Sequence, residues 1–192
     1  HYDQLVSSGL YAFLSGSGLL VQHEEIQSGQ KFTPDGYKIL KPELVPFVSY
    51  PYEWSFSQLK DAALTTLVIQ KNALDFGMTL QDASAFNIQW LRGKPVLIDT
   101  LSFLRYDEGQ PWIAYKQFCQ NFLAPLALMS YKHIGSGLLS RIYLDGIPLD
   151  VASALLPVRT RLKPSLAMHI HLHARAQKKF AASPDSAIRR KM

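Results

Sequence analysis

Three residues in QDASAFNIQWLRGKPVLIDTLSF, residues 81–103, have side chains suited to phosphate and metal chemistry: Asp82, Asn87 and Asp99. Four residues separate Asp82 from Asn87, and Asp99 follows twelve positions after Asn87. Phosphoryl transfer from a nucleotide needs a carboxylate beside the attacking hydroxyl and hard oxygen ligands for Mg2+. A loop ending in Asn, followed by a hairpin ending in Asp, supplies both. Oxygen ligands of this kind suit Mg2+ rather than zinc. The competing reading is architectural: Asp82 caps a turn, Asn87 ends a loop and Asp99 closes a strand.

The elements that must position these residues are legible nearby. NIQWL and PVLID are short β-rich runs joined by RGK, which predicts a hairpin with glycine in its turn. Upstream, SQLKDAALTTLVIQKNALDF predicts a long helix capped by Ser57. Its apolar face includes Leu59, Ala63, Leu67 and Leu74, and Gly77 sits where a C-terminal cap belongs. At the start of the chain, YDQLVSSGLYAFLSGSGLL predicts a helix with Leu5, Leu10, Phe13 and Leu14 apolar, ending at Gly16 and Gly18. LLVQHEEI and YKILKPELVPFV predict strands separated by the turn-rich QSGQKFTPDG, and SYPYEW reads as an aromatic connector. Downstream, TLSFLRYDEGQP reads as a loop, and WIAYKQFCQNFLAPLALMSY as a central helix interrupted near Pro125. GLLSRIYL, DVASALL and PSLAMHIHLHARAQKKF predict further helices. Segregated strands and helices in this order give an α+β class.

Composition bounds the partners. With 47% apolar and 18% charged residues over 192 positions, the chain reads as globular and long enough to bury a core. No apolar run approaches the ~20 residues of a membrane helix, and no secretory signal opens the chain, so no membrane partner and a cytoplasmic setting are expected. The single Cys119 excludes an internal disulfide, and its apolar surroundings favour a structural thiol over a nucleophile. The net charge of +5 concentrates in residues 169–192, which hold six basic groups against Asp185, while the other 168 residues balance at fourteen of each sign. Such a distribution reads as a solvated basic tail, and nucleic acid is not an expected partner. The start at His1 suggests a fragment or trimmed chain.

The motif DASAFN followed by VLID resembles the catalytic loop and metal-binding Asp of the protein-kinase-like superfamily, notably its aminoglycoside phosphotransferase branch. The resemblance implies a kinase-like α+β fold with a mostly helical large lobe, a β-hairpin catalytic region and part of the small lobe. Asp82 would be the catalytic carboxylate, and Asn87 and Asp99 the Mg2+ ligands. It implies ATP or another nucleotide as cofactor and an unknown small-molecule or protein acceptor. Residues 1–49 would be a partial small lobe, 50–56 a hinge, 57–180 the large lobe and 181–192 a basic tail or linker. Leu80 and Gln81 stand where His-Arg or His-Gly usually precede the Asp, and Thr100 and Leu101 follow Asp99 in place of an aromatic and Gly. The chain holds no glycine-rich phosphate loop after a strand and no strand Lys, which are expected upstream of His1. Tyr50, Tyr52 and Trp54 are candidates for an adenine pocket, with an aromatic connector that packs two lobes as the alternative.

A narrower resemblance lies in LKPELVPFVSYPYEWSFSQLKDAAL, LIDTLSF and HIHLHAR, which are similar to the N-terminal region of bacterial proteins described as class I SAM-dependent, nodulation-type methyltransferases. It implies a fused methyltransferase domain after this segment, with no acidic-Gly-x-Gly-x-Gly element for SAM inside the chain. The rival to catalysis is thus a non-catalytic, pseudokinase-like regulatory module. HIHLH offers a third option, a histidine-metal hydrolase. On a strand His169, His171 and His173 share a face, but Pro164 and the following ARAQKKF favour a helix, where only His169 and His173 are neighbours. Asp145 and Asp150 read as turn and cap residues.

Overall fold

The computed structural model describes residues 1–26 and 36–181, and these form mixed helix and strand, in keeping with the α+β class. Most of the turn-rich 27–36 segment and the basic tail after 181 lie outside the described residues. The chain divides into two compact units. The first comprises 1–49, 64–82 and 86–113, and the second 50–63, 83–85 and 114–192.

The first unit opens with two short helices, α1 (Tyr2–Ser7) and α2 (Leu10–Gly16), where the sequence predicts one. Gly9 adopts φ +85°, a left-handed conformation that ends α1 and turns the chain. Leu5, Leu10 and Leu14 are buried as expected, whereas Phe13 is 43% exposed. The following residues join the later hairpin through Val21 N–H to Leu97 O (2.8 Å) and Leu97 N–H to Leu19 O (2.9 Å). The two expected strands shorten to an antiparallel pair, β1 (His23–Glu25) and β2 (Leu40–Pro42).

The long helix α3 (Phe56–Asp75) has a different cap from the expected Ser57. Ser55 Oγ accepts the Gln58 N–H at 3.3 Å while Gln58 Oε1 accepts the Ser55 N–H at 2.9 Å, a reciprocal capping box. Its buried line also runs through different residues. Leu59 and Ala63 are buried, but so are Ala62, Thr66, Ile69, Gln70 and Ala73, while Leu67 and Leu74 are each 41% exposed. Small and polar residues carry the packed face, which a count of large aliphatics passes over. Gly77, at φ +68°, ends the helix as expected.

Four further strands follow: β3 (Met78–Leu80), β4 (Ile88–Leu91), β5 (Lys94–Leu97) and β6 (Phe103–Arg105). β4 and β5 form the expected hairpin, with both turn residues left-handed at Arg92 (φ +53°) and Gly93 (φ +77°). β3 and β6 form a second antiparallel ribbon, placing strand in two stretches where the sequence predicted none. Buried Gln70 clamps this ribbon: its Oε1 accepts the Leu80 N–H at 2.8 Å, and its amide donates to Thr79 Oγ1 at 3.1 Å. Trp112 Nε1 donates to Leu80 O at 2.8 Å, so both backbone groups of Leu80 are satisfied where the chain leaves the ribbon.

In the second unit the central helix runs as α4 (Tyr115–Phe118), a π-helical turn (Cys119–Leu123) and α5 (Ala124–Tyr131). Pro125 has no N–H for the carbonyl four residues back, and the strain is taken up as the π turn. Ala124 N–H bonds Cys119 O there, which releases Gln120 O to accept Ile147 N–H at 3.0 Å. GLLSRIYL is largely a 3-10 helix (Ile134–Arg141) rather than an α-helix. α6 (Leu149–Leu155), a 3-10 turn (Val158–Leu162), α7 (Pro164–Leu166), a second π turn (Ala167–Leu172) and α8 (His173–Ala181) complete the unit. Its core gathers Cys119, Leu128, Ile147, Leu149, Ala152 and Ile170, so the thiol is structural, and burial pushes its pKa up.

Two predictions follow from this packing. Gly146 adopts φ +98°, and a Cβ there would lie 2.7 Å from both Asn121 Nδ2 and Gln120 Cβ. Gly146→Ala should therefore cost about 1–3 kcal/mol, read as a lowered urea midpoint, from overpacking and an adverse backbone conformation. The second concerns pH. Thr160 Oγ1 donates to Pro157 O at 2.6 Å, so His171 Nε2 must donate to Thr160, leaving Nδ1 to accept the Ser153 hydroxyl at 2.8 Å. This network holds a neutral ring, and burial lowers the pKa of His171, as it does for His23 and His173. The unfolded chain then binds more protons than the folded one below about pH 6.5. Stability should be full above that value and fall as the medium is acidified, with a shallower slope in His171→Gln.

Candidate functional site

Asp82, Asn87 and Asp99 all belong to the first unit. The β3–β6 ribbon brings the two ends of their segment together, because Gln81 N–H bonds Ser102 O at 2.9 Å immediately beyond the ladder. Asp82 follows at the start of the loop, half-buried. A 3-10 turn, Ala85–Asn87, ends that loop. Residues 83–85 count with the second unit, where Gln117 Oε1 accepts the Ala83 N–H at 2.7 Å and Asn121 Oδ1 accepts the Ala85 N–H at 3.2 Å.

The hairpin ladder extends one pair further than its strands. Ile98 N–H bonds Asn87 O at 2.8 Å, so Asn87 stands opposite Ile98 and Asp99 emerges one residue later at the same open end. Their side chains meet through Ser102. Asn87 Nδ2 donates to Ser102 Oγ at 3.4 Å, and Ser102 Oγ donates to Asp99 Oδ2 at 2.7 Å. Asp99 Oδ1 accepts the Leu101 N–H at 2.8 Å, which fixes the carboxylate in an Asx turn. The amide and the second carboxylate are thus brought together on one side of the hairpin.

Oxygens of this kind are the ligands that a hard cation takes. Each Asp99 oxygen keeps a lone pair beyond the bond it accepts, and Asn87 Oδ1 accepts no hydrogen bond from any described residue. Among the described residues no group of three or more His, Cys, Asp or Glu is placed to hold a metal, so a cation here would depend on the amide oxygen, Asp99 and ligands from outside the chain. Ser102, buried at the centre, was not among the sequence candidates. Its signal was present in DTLS, an Asp followed three residues later by a hydroxyl that can satisfy it.

The remaining candidates belong to the second unit. Tyr50 and Tyr52 belong to the second unit and stack on each other, centroids 5.4 Å apart at 10°. The Tyr50 N–H is capped by Glu53 Oε2 at 2.8 Å, and the 3-10 turn Pro51–Glu53 holds the pair in place. HIHLH is helical, and its three rings part company. His169 hydrogen-bonds Tyr115, His171 is buried between Ser153 and Thr160, and His173 stacks on Tyr115 at 5.3 Å. They do not form a metal cluster. Asp150 lies in the first turn of α6 rather than at its cap, and Asp145 is exposed.

The described residues include no helix long and apolar enough to cross a membrane. No protein-family model matches the chain, and no solved structure matches it. Among curated proteins it is similar to nodulation protein NoeA of Rhizobium meliloti (strain 1021), with 39% identity over 166 residues. The matched region is 85% of this chain but 35% of NoeA, so the chain spans about a third of that relative's length.

Proposed function

We propose that the chain is a protein-kinase-like domain that binds Mg-nucleotide, with Asn87 and Asp99 as the metal ligands. The supporting observation is the shared hydroxyl of Ser102, which holds the amide and the carboxylate together at the open end of the hairpin. Architecture alone does not need this. An Asp that only closed a strand could point its carboxylate into solvent, and Asn87 could face away from it. The bound cation would neutralise charge on the nucleotide phosphates. Asp99 supplies the anionic ligand and Asn87 the neutral one, while Ser102 and the Leu101 N–H keep the carboxylate from rotating. Asp82 is the base for an acceptor hydroxyl, taking its proton as the new O–P bond forms and the bond to the leaving nucleotide breaks. A cytoplasmic site of action belongs to the same reading.

A second reading is favoured by the length of NoeA, most of which lies outside the matched region. Here the domain is a non-catalytic nucleotide-binding module that regulates another domain of the same protein, in the proposal a SAM-dependent methyltransferase. The name of the relative makes a role in nodulation part of either version.

Titrating ATP with and without Mg2+ against the protein that carries this chain tests both. Asp99→Asn should weaken Mg2+-dependent binding at least about tenfold, because a charged ligand becomes neutral. Ser102→Ala, which removes only positioning, should weaken it less. Asp82→Asn should leave binding unchanged and abolish turnover in the enzyme, and change neither in the regulatory module. Wild-type protein that binds no nucleotide under either condition would refute both readings.

A further inference from the structure

The second unit carries a surface that the nucleotide reading does not use. Its charge is far from neutral: thirteen basic and five acidic residues give +8, against seven and ten, or −3, in the first unit. The positive excess is therefore not confined to the tail, as the sequence suggested, because a whole-chain count averages two units of opposite sign. No acidic residue occurs between Val151 and Pro184, a stretch that contains Arg159, Arg161, Lys163 and Arg175. All four are exposed, and none forms an ion pair with a carboxylate among the described residues.

Large aliphatic side chains stand among these cations. In the 3-10 turn Val158–Leu162, Val158 is 74% exposed and Leu162 85% exposed. On the adjoining helix Met168 and Leu172, one turn apart, are 59% and 54% exposed, and Arg175 follows on the next turn. The two elements are pinned to each other by the His171–Thr160 hydrogen bond at 2.9 Å, and Arg161 and Arg175 both act electrostatically on His171. The turn is held firmly from below, since Thr160 is fully buried and bonded on both sides. Exposure of its aliphatics is thus a property of a fixed conformation.

We propose that this face lies against an anionic phospholipid surface, with Val158 and Leu162 entering the interface and Arg159, Arg161, Lys163 and Arg175 meeting the lipid phosphates. Exposed aliphatic side chains interspersed with cations, in a stretch of sequence without a carboxylate, are the composition of an interfacial anchor. Long basic stems can lie along the apolar surface while their heads reach the phosphates. A nucleic acid would use the cations but gain nothing from exposed Val and Leu, having no apolar phase to receive them. An acidic protein partner would use the same cations, and the test separates it. The absence of a spanning helix among the described residues concerns crossing a bilayer, and this mode of contact needs none.

Co-sedimentation of the 192-residue chain with phosphatidylcholine vesicles, with and without phosphatidylglycerol, tests the proposal. Binding should require phosphatidylglycerol and weaken as salt is raised. Arg159→Gln and Lys163→Gln should each weaken it roughly fivefold. The double variant Val158→Ser, Leu162→Ser should weaken it about tenfold or more without lowering the thermal midpoint, since both sites are exposed. Equal binding to neutral and anionic vesicles would overturn the proposal, as would full binding by the double variant. So would tighter capture by heparin or an acidic peptide that depends on the cations but not on Val158 and Leu162.

Discussion

The pairing of β3 with β6 is the constraint on which the candidate site depends. Without it the loop after Leu80 and the chain after Leu97 would leave the hairpin in unrelated directions. The ribbon is only three residues long on each side, and such a short ladder is marginal by itself. Its permanence comes from the groups around it: Gln70 on one face, Trp112 on the Leu80 carbonyl and Gln81 bonded to Ser102 just past its end. Replacing Gln70 by an apolar residue would strand a buried N–H and a buried hydroxyl together, which is why one polar side chain inside the packed face of α3 outweighs several aliphatic ones nearby.

The parts of this arrangement that were legible in the sequence are those with local causes. Arg92-Gly93 needs two left-handed residues to join β4 and β5, and glycine marks the spot. Gly77 does the same for the end of α3. β3 and β6 were not legible, because their pairing joins residues more than twenty apart and each strand is too short to show a period of two. The helix face went astray for a related reason. Leu67 and Leu74 have the spacing of an apolar stripe, yet Thr66, Gln70 and Ala73 are buried in their place, and only tertiary partners such as Thr79 make Gln70 an interior residue. At the site, the three residue types and the hairpin were visible in advance. The bond network that orients two of them was not, since it hinges on Ser102, whose type alone carries little information.

The reading of charge depends on where the chain is divided. Summed along the chain, the first 168 residues are neutral and the tail appears to hold all the excess. Divided by compact unit, the opening segment with residues 64–82 and 86–113 totals −3, and the second unit is strongly basic. A linear count divided at residue 113 shows the same asymmetry, −4 before it and +9 after it, which the division at residue 168 hides.

Each unit thereby acquires a distinct electrostatic character. In the first, the divalent ion proposed for Asn87 and Asp99 would compensate the carboxylate more fully than a neighbouring lysine could, and would leave the site open to phosphate. In the second, Arg159, Arg161, Lys163 and Arg175, which form no ion pair among the described residues, lower stability through mutual repulsion, and exposed Val158 and Leu162 forgo the gain that burial would bring. Neither cost is needed for folding, since the core around Ile147, Leu149 and Ile170 closes without them. The exposed aliphatics and the cations occupy one turn and the helix bonded to it, and the buried Thr160–His171 pair that fixes the turn keeps them presented outward instead of letting them collapse onto the core.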